Sequence, residues 1–168
     1  SMFYLDYAGL DSVAASGLTA EAIAEAVRLA TINRDYEGGY IYIDTVNGSA
    51  GDEAGIDGLP NHKVDNWVDA LSLSTKLGLK KFDIANGSAI VFTSDIIGYS
   101  FRGVAYNINF AGSDIATSDF IGASIDGAAT SSIPPPIIFD SCTVNITTLP
   151  PFVLQQCFYG DAITPVTV

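Results

Sequence analysis

The stretch that decides the fold is Ser94-Asp95-Ile96-Ile97-Gly98-Tyr99-Ser100-Phe101-Arg102-Gly103-Val104. It recurs 19 residues on, as Ser113-Asp114-Ile115 and then Phe120-Ile121-Gly122-Ala123. Working outward, Phe82 lies 19 residues before Phe101, and Phe139 lies 19 residues after Phe120. Four of the nine Phe in the chain therefore share one register. Phe139-Asp140-Ser141-Cys142 continues the alignment and meets Leu154-Gln155-Gln156-Cys157 after a shorter step of 15. A second apolar run per period passes through Ile90/Phe92, Ile108/Phe110, Ile146 and Ile163. Short β-prone runs at a fixed period near 19, divided by Gly, Asn, Ser and Asp, predict a mainly β, single-stranded β-solenoid. A leucine-rich repeat would need a regular Leu frame, which is missing. Coils stack at the strand spacing of ~4.8 Å, so equivalent residues superpose. Phe82, Phe101, Phe120, Phe139 and Leu154 are then expected as an interior ladder. Cys142 and Cys157 fall at one ladder position on adjacent coils.

Upstream the pattern differs. Residues 1–18 read as an arm rich in Tyr and Gly. Thr19 suits an N-cap, and Ile23, Val27 and Ala30 space out as one face of a helix over 20–32. A helix this short must pack on something. Its stripe either lies on its own domain or meets copies of itself about an oligomer axis. Gly38-Gly39 breaks the helix, and Tyr40-Ile41-Tyr42-Ile43-Asp44 reads as a strand. An acidic, Gly-rich loop follows over 47–61. A second helix is expected over 64–77, with Val64, Trp67, Val68, Leu71 and Thr75 on one face and Gly78 as its left-handed stop. The chain thus divides into 1–36 (arm and amphipathic helix), 37–78 (leading strand, acidic loop and capping helix) and 79–168 (coils). About five coils fit in the last segment, roughly 25 Å along the axis. Open solenoid ends expose strand edges and need caps. The strand and the Trp67 helix stand where an N-terminal cap belongs. At the other end, either Pro165 and the terminal Val residues blunt the edge or the solenoid continues.

Charge narrows the function. The chain has 168 residues, 19 acids against 7 bases and a formal net charge of −12. No Lys or Arg occurs from Gly103 to Val168. That balance argues against a phosphate-tracking nucleic-acid binder and against an anionic membrane surface. No run approaches the ~18 apolar residues of a membrane span. No charged and then apolar stretch opens the chain, so no secretory signal is expected here.

Candidate chemistry is sparse. Asp95 and Asp114 share a ladder position, as do Asp83 and Arg102. Two carboxylates one coil apart would raise one pKa, a catalytic arrangement on some solenoids. The plainer expectation is that both are turn residues bonding backbone amides. Asp44, Asp52, Glu53 and Asp57 could ligate Ca²⁺ but lack EF-hand spacing, which favours a solvated loop. His62 is the only histidine, so no multi-His metal site is expected. Cys142 and Cys157 are expected as buried thiols acting as small hydrophobes. No catalytic residue, cofactor or metal is expected.

Three segments also carry a resemblance: Tyr42-Ile43-Asp44-Thr45-Val46-Asn47-Gly48-Ser49-Ala50-Gly51, Gly58-Leu59-Pro60, and Val64-Asp65-Asn66-Trp67-Val68-Asp69-Ala70-Leu71. Together they resemble the start of pectate-lyase-like right-handed parallel β-helix proteins, and Gly78–Ile84 resembles the lead into their first coil. The stretches Gly98–Gly103, Gly112–Phe120, Phe139–Val144 and Thr148–Cys157 are similar to structural proteins of tailed bacteriophages and prophages. The resemblance spans residues 40–160. It implies a right-handed coil and a homotrimer. It also implies a non-enzymatic structural or adhesive role in a tail fibre or tail spike of a virion. Other virion proteins would be the partners, with a host surface glycan as a further candidate. The alternative it implies is a glycan-processing lyase or hydrolase, or a truncated relative of one. A lyase would want several bases near its substrate carboxylate, and 103–168 supplies none.

Overall fold

The computed structural model describes residues 19–133 and 137–145, together with the backbone of 153–155 and 158–159. Leu154 is therefore described by its backbone alone, and Cys157, Ile146 and Ile163 lie outside the described residues. Helix α1 spans Ala20–Asp35. Its start is set as expected: the Thr19 hydroxyl accepts the Ala22 N–H at 3.1 Å. The helix runs three residues beyond the expected end, to a 3-10 turn over Glu37–Gly39 where Gly38 and Gly39 take φ of 67° and 77°. These left-handed values are what the paired glycines permit.

The rest is a parallel β-solenoid. Its strands are β1 (Tyr40–Ile43), β2 (Lys81–Ile84), β3 (Ala89–Val91), β4 (Ser100–Asn109) and β5 (Asp119–Asp126). They continue as β6 (Ile138–Asp140), β7 (Thr143–Val144), β8 (Val153–Gln155) and β9 (Phe158–Tyr159). Every pairing among them is parallel. One face runs β1-β2-β4-β5-β6-β8, and a second joins β3, β4, β5, β7 and β9. The long strands β4 and β5 serve both faces. Their turn between faces is unequal. Arg102 pairs with Ile121 and Tyr106 with Ala123, so three residues of β4 face one of β5. The excess forms a bulge at Gly103-Val104-Ala105, which leaves Val104 73% exposed and Ala105 at φ 53°. Bulges bend a strand in this way.

The interior follows the repeat. Ile41, Phe82, Phe101, Phe120, Phe139 and Leu154 hold one register. Phe82, Phe101, Phe120 and Phe139 are fully buried. Successive ring centroids lie 5.2, 5.0 and 5.5 Å apart. Each buried ring contributes roughly 1.5–3 kcal/mol of apolar burial, and each ring pair about 0.5–1.5 more. The second column is Ile90, Ile108, Ile125 and Val144. Its third member is thus Ile125, not Ile146. A shorter period was needed to see it: β5 turns the corner with one residue where β4 uses three.

Helix α2 spans Trp67–Leu77, three residues shorter at its start than expected. Asn66 caps it, accepting the Asp69 N–H at 2.8 Å, and Gly78 ends it at φ 67°. Its buried face is Trp67, Ala70, Leu73, Ser74 and Leu77. Val68 is 63% exposed and Leu71 only partly buried, a correction to the expected stripe. Val64 lies outside the helix, bridged to Ile43 and Ser49, so it cannot set the helix face. Trp67 seats on the ladder, 5.1 Å from the rings of Phe82 and Phe92 and 5.9 Å from Phe101. The helix therefore caps the aromatic column. The outer edge of β1 is closed by backbone. Tyr42 N–H donates to the Gly58 carbonyl, while the N–H of Val64 donates to the Tyr42 carbonyl.

Candidate functional site

Strand alternation sends every second residue of the first face outward. Two outer rows result. One holds Tyr40, Lys81, Ser100, Asp119 and Ile138; the other holds Tyr42, Asp83, Arg102, Ile121 and Asp140. They bring several charged and aromatic side chains together. Arg102 Nε donates to Asp83 Oδ2 at 2.7 Å, and its guanidinium carbon stands 3.5 Å from the Tyr40 ring centroid. Lys81 Nζ lies 5.4 Å from the same ring. Ser100 Oγ donates to Asp119 Oδ1 at 2.5 Å. Burial works against the Arg102 charge, but the Asp83 hydrogen bond and charge outweigh it and raise the Arg102 pKa. Burial, and then the Asp83 charge, push the Tyr42 hydroxyl above its ordinary value. Beside this pair, the bulge opens a shelf lined by Ile84, Asn86, Gly103, Val104 and Ile121. The sequence placed Asp83 opposite Arg102. It did not place Tyr40 under the guanidinium, because that contact reaches two coils back.

The other acids divide between coil-to-coil bonds and local turn contacts. Asp95 Oδ1 accepts the Asp114 N–H at 2.9 Å, across one coil. Asp114 Oδ1 accepts the Ala116 N–H at 2.9 Å, and its carboxylate also accepts the Ser132 N–H at 3.1 Å. Desolvation alone would raise the Asp114 pKa, but the Ser132 and Ala116 bonds lower it below the ordinary carboxylate value. This is the turn role, not a carboxylate dyad. Asp44 accepts the N–H groups of Asn47 and Val46, the Asn47 bond first among the causes that lower its pKa. Asp52 pairs with Lys76 at 2.7 Å and accepts the Ser72 hydroxyl. Asp57 is buried, accepts the Glu53 N–H at 2.8 Å and lies 3.0 Å from His62 Nδ1. Among the described residues, no three His, Cys, Asp or Glu cluster as a metal site. Three of the four loop acids, Asp44, Asp52 and Asp57, thus hold separate turn, helix and hairpin contacts.

Cys142 is buried, its sulfur 3.3 Å from the carbonyl oxygens of Phe120 and Asp140. On α1, Ile23 and Val27 are exposed, as is Leu29 beside them. Ala30 is exposed too. The helix touches the solenoid cap through Arg28, whose guanidinium donates to the Leu77 carbonyl at the C-terminus of α2. A cation there also complements the helix dipole.

The fold and site define a parallel β-solenoid with a closed N-terminal edge and one chemically mixed outer face. In comparisons with known proteins, no family model, no curated protein and no solved structure matches the chain.

Proposed function

We propose that the chain is a non-enzymatic structural or adhesive module of a phage or prophage appendage, a tail fibre or spike, acting as a homotrimer within the virion. The observation that carries this reading is the use of the acids. Asp44, Asp95 and Asp114 each accept backbone N–H groups, and Asp83 is paired with Arg102. A catalytic carboxylate must reach a substrate proton, and these carboxylates instead hold a turn (Asp44) or link neighbouring coils (Asp83, Asp95, Asp114). The exposed Ile23, Val27 and Ala30 face supports the trimer reading, since a helix of 16 residues gains stability by burying its stripe. Light scattering tests it. A mass three times 17.6 kDa is expected, and a monomer at micromolar concentration would overturn the trimeric reading.

The second reading is a glycan-processing enzyme. The convergence of Tyr40, Lys81, Asp83 and Arg102 on one outer face favours it. Release of reducing ends or unsaturated products from a bacterial surface polysaccharide would establish it over the first.

A further inference from the structure

We propose that a glycine-floored groove at the leading corner of the first face binds an oxyanion through Lys80 and Lys81. The groove encloses about 480 Å³ and is lined by Gly38, Gly39, Gly78, Leu79, Lys80, Lys81, Gly98 and Ser100. It is concave because four of these positions carry no side chain, while the chain enters and leaves three successive coils around it.

Charge pairing singles out its two lysines. Of the seven bases, Arg28 pairs with Glu25, Arg34 with Asp35, Lys76 with Asp52 and Arg102 with Asp83. Lys63 sits near enough to Asp44 to help lower its pKa. Lys80 and Lys81 make no ion pair with a carboxylate among the described residues. In a chain of net charge −12, two adjacent bases with no acid paired to them among the described residues are the exception.

Their placement follows from the fold. Lys80 precedes β2, and Lys81 is its first outward residue. Lys80 Nζ reaches forward, 3.3 Å from the Ile97 carbonyl and 5.1 Å from the Tyr99 ring centroid. Lys81 Nζ reaches back to the Tyr40 ring. Both lysines line the groove, and their ammonium groups reach in opposite directions along the solenoid axis. A ring contact consumes no hydrogen-bond donor, and an ammonium carries three. Lys80 spends one on Ile97. Lys81 keeps all three. The nearest acid on the Lys81 row, Asp119, is one coil past Ser100 and engaged by the Ser100 hydroxyl. An oxyanion in the groove gains a charge-assisted contact from an ammonium that no carboxylate among the described residues neutralises. The inference stands whether or not the chain is a virion module.

The test is an NMR titration of the full chain at constant ionic strength, with inorganic phosphate, sulfate and acetate added separately. Saturable shifts of the Gly38, Gly39, Gly78 and Gly98 amides are expected. The anion that saturates at the lowest concentration identifies the chemistry as phosphate, sulfate or carboxylate. The Lys80→Ala/Lys81→Ala variant should lose about tenfold or more in affinity, while Lys63→Ala should change it by less than about twofold. Should the alanine variant fail to fold by circular dichroism, Lys80→Gln/Lys81→Gln retains the stems and reads the same loss. Shifts that never saturate, or an equal loss in Lys63→Ala, would mean an adventitious ion only and would overturn the proposal.

Discussion

Phe120→Ala is the sharpest test of the stacked interior. Phe120 is fully buried and stands between two ladder neighbours, 5.0 Å from Phe101 and 5.5 Å from Phe139. Phe110 closes a third side at 5.2 Å. A Phe→Ala change in a core costs about 3–5 kcal/mol, more where the site cannot collapse. Here the coils above and below are held at backbone hydrogen-bond spacing, so the walls cannot close on the void. We expect the upper half of that range. With a urea slope of about 2 kcal/mol/M, the unfolding midpoint falls by roughly 2 M. Ile121→Ala is the control. Its side chain faces outward and is 42% exposed, so a shift of no more than about 0.5 M is expected. Both are read by urea denaturation followed by circular dichroism. Equal shifts for the two variants would refute the inward ladder and its register. A transition that splits in two for Phe120→Ala alone would still fit, because a solenoid broken mid-stack can melt in parts.

Three further outcomes are expected. Gly122→Ala should abolish folding or cost more than about 3 kcal/mol, since its Cβ would collide with the Gly103 carbonyl oxygen of the preceding coil at φ 78°; soluble yield and thermal melting read it. Asp114→Asn should flatten the pH dependence of stability. The folded pKa of Asp114 is lowered, so its contribution is present above the unfolded value of about 3.9 and is lost as pH falls through the folded one; urea midpoints measured from pH 6 downward would show a shallower fall in the variant. Asn66→Ala removes the cap of α2 and should cost about 1 kcal/mol, read as a lowered melting temperature with the β signal otherwise unchanged.

Much of this was legible because a solenoid writes its geometry into sequence spacing. A parallel strand pairs with its neighbour at constant offset, so the 19-residue recurrence of Phe82, Phe101, Phe120 and Phe139 is the register itself. Thr19 and Gly78 were legible too, because caps depend on local chemistry. The face of α2 was not. Apolar spacing alone admits Val64 and Val68, and only the tertiary bridge of Val64 to Ile43 shows that the helix begins later and turns Ala70, Leu73 and Leu77 inward. The second column slipped for a similar reason. A fixed period carries no mark for the bulge at Gly103-Val104-Ala105, so Ile125 went unpaired in the linear reading. At the outer face, the Asp83–Arg102 pair follows from the repeat, whereas Tyr40 comes from outside it. Lys80 and Lys81 are consecutive in sequence, yet their opposite reach along the axis depends on where the strand begins.

The closed edge of β1 gives the molecule a direction. Tyr42 offers both its outward backbone groups to Gly58 and Val64, so at the middle of the first strand those bonds are already taken. A ladder of parallel strands would otherwise template its own extension at both ends, as amyloid does. Here the loop over 47–66 works as a stopper, spending polar, charge-rich chain where a hydrophobic strand would invite addition. Addition of a strand at this pole, from the same chain or from a partner, would first have to displace that loop.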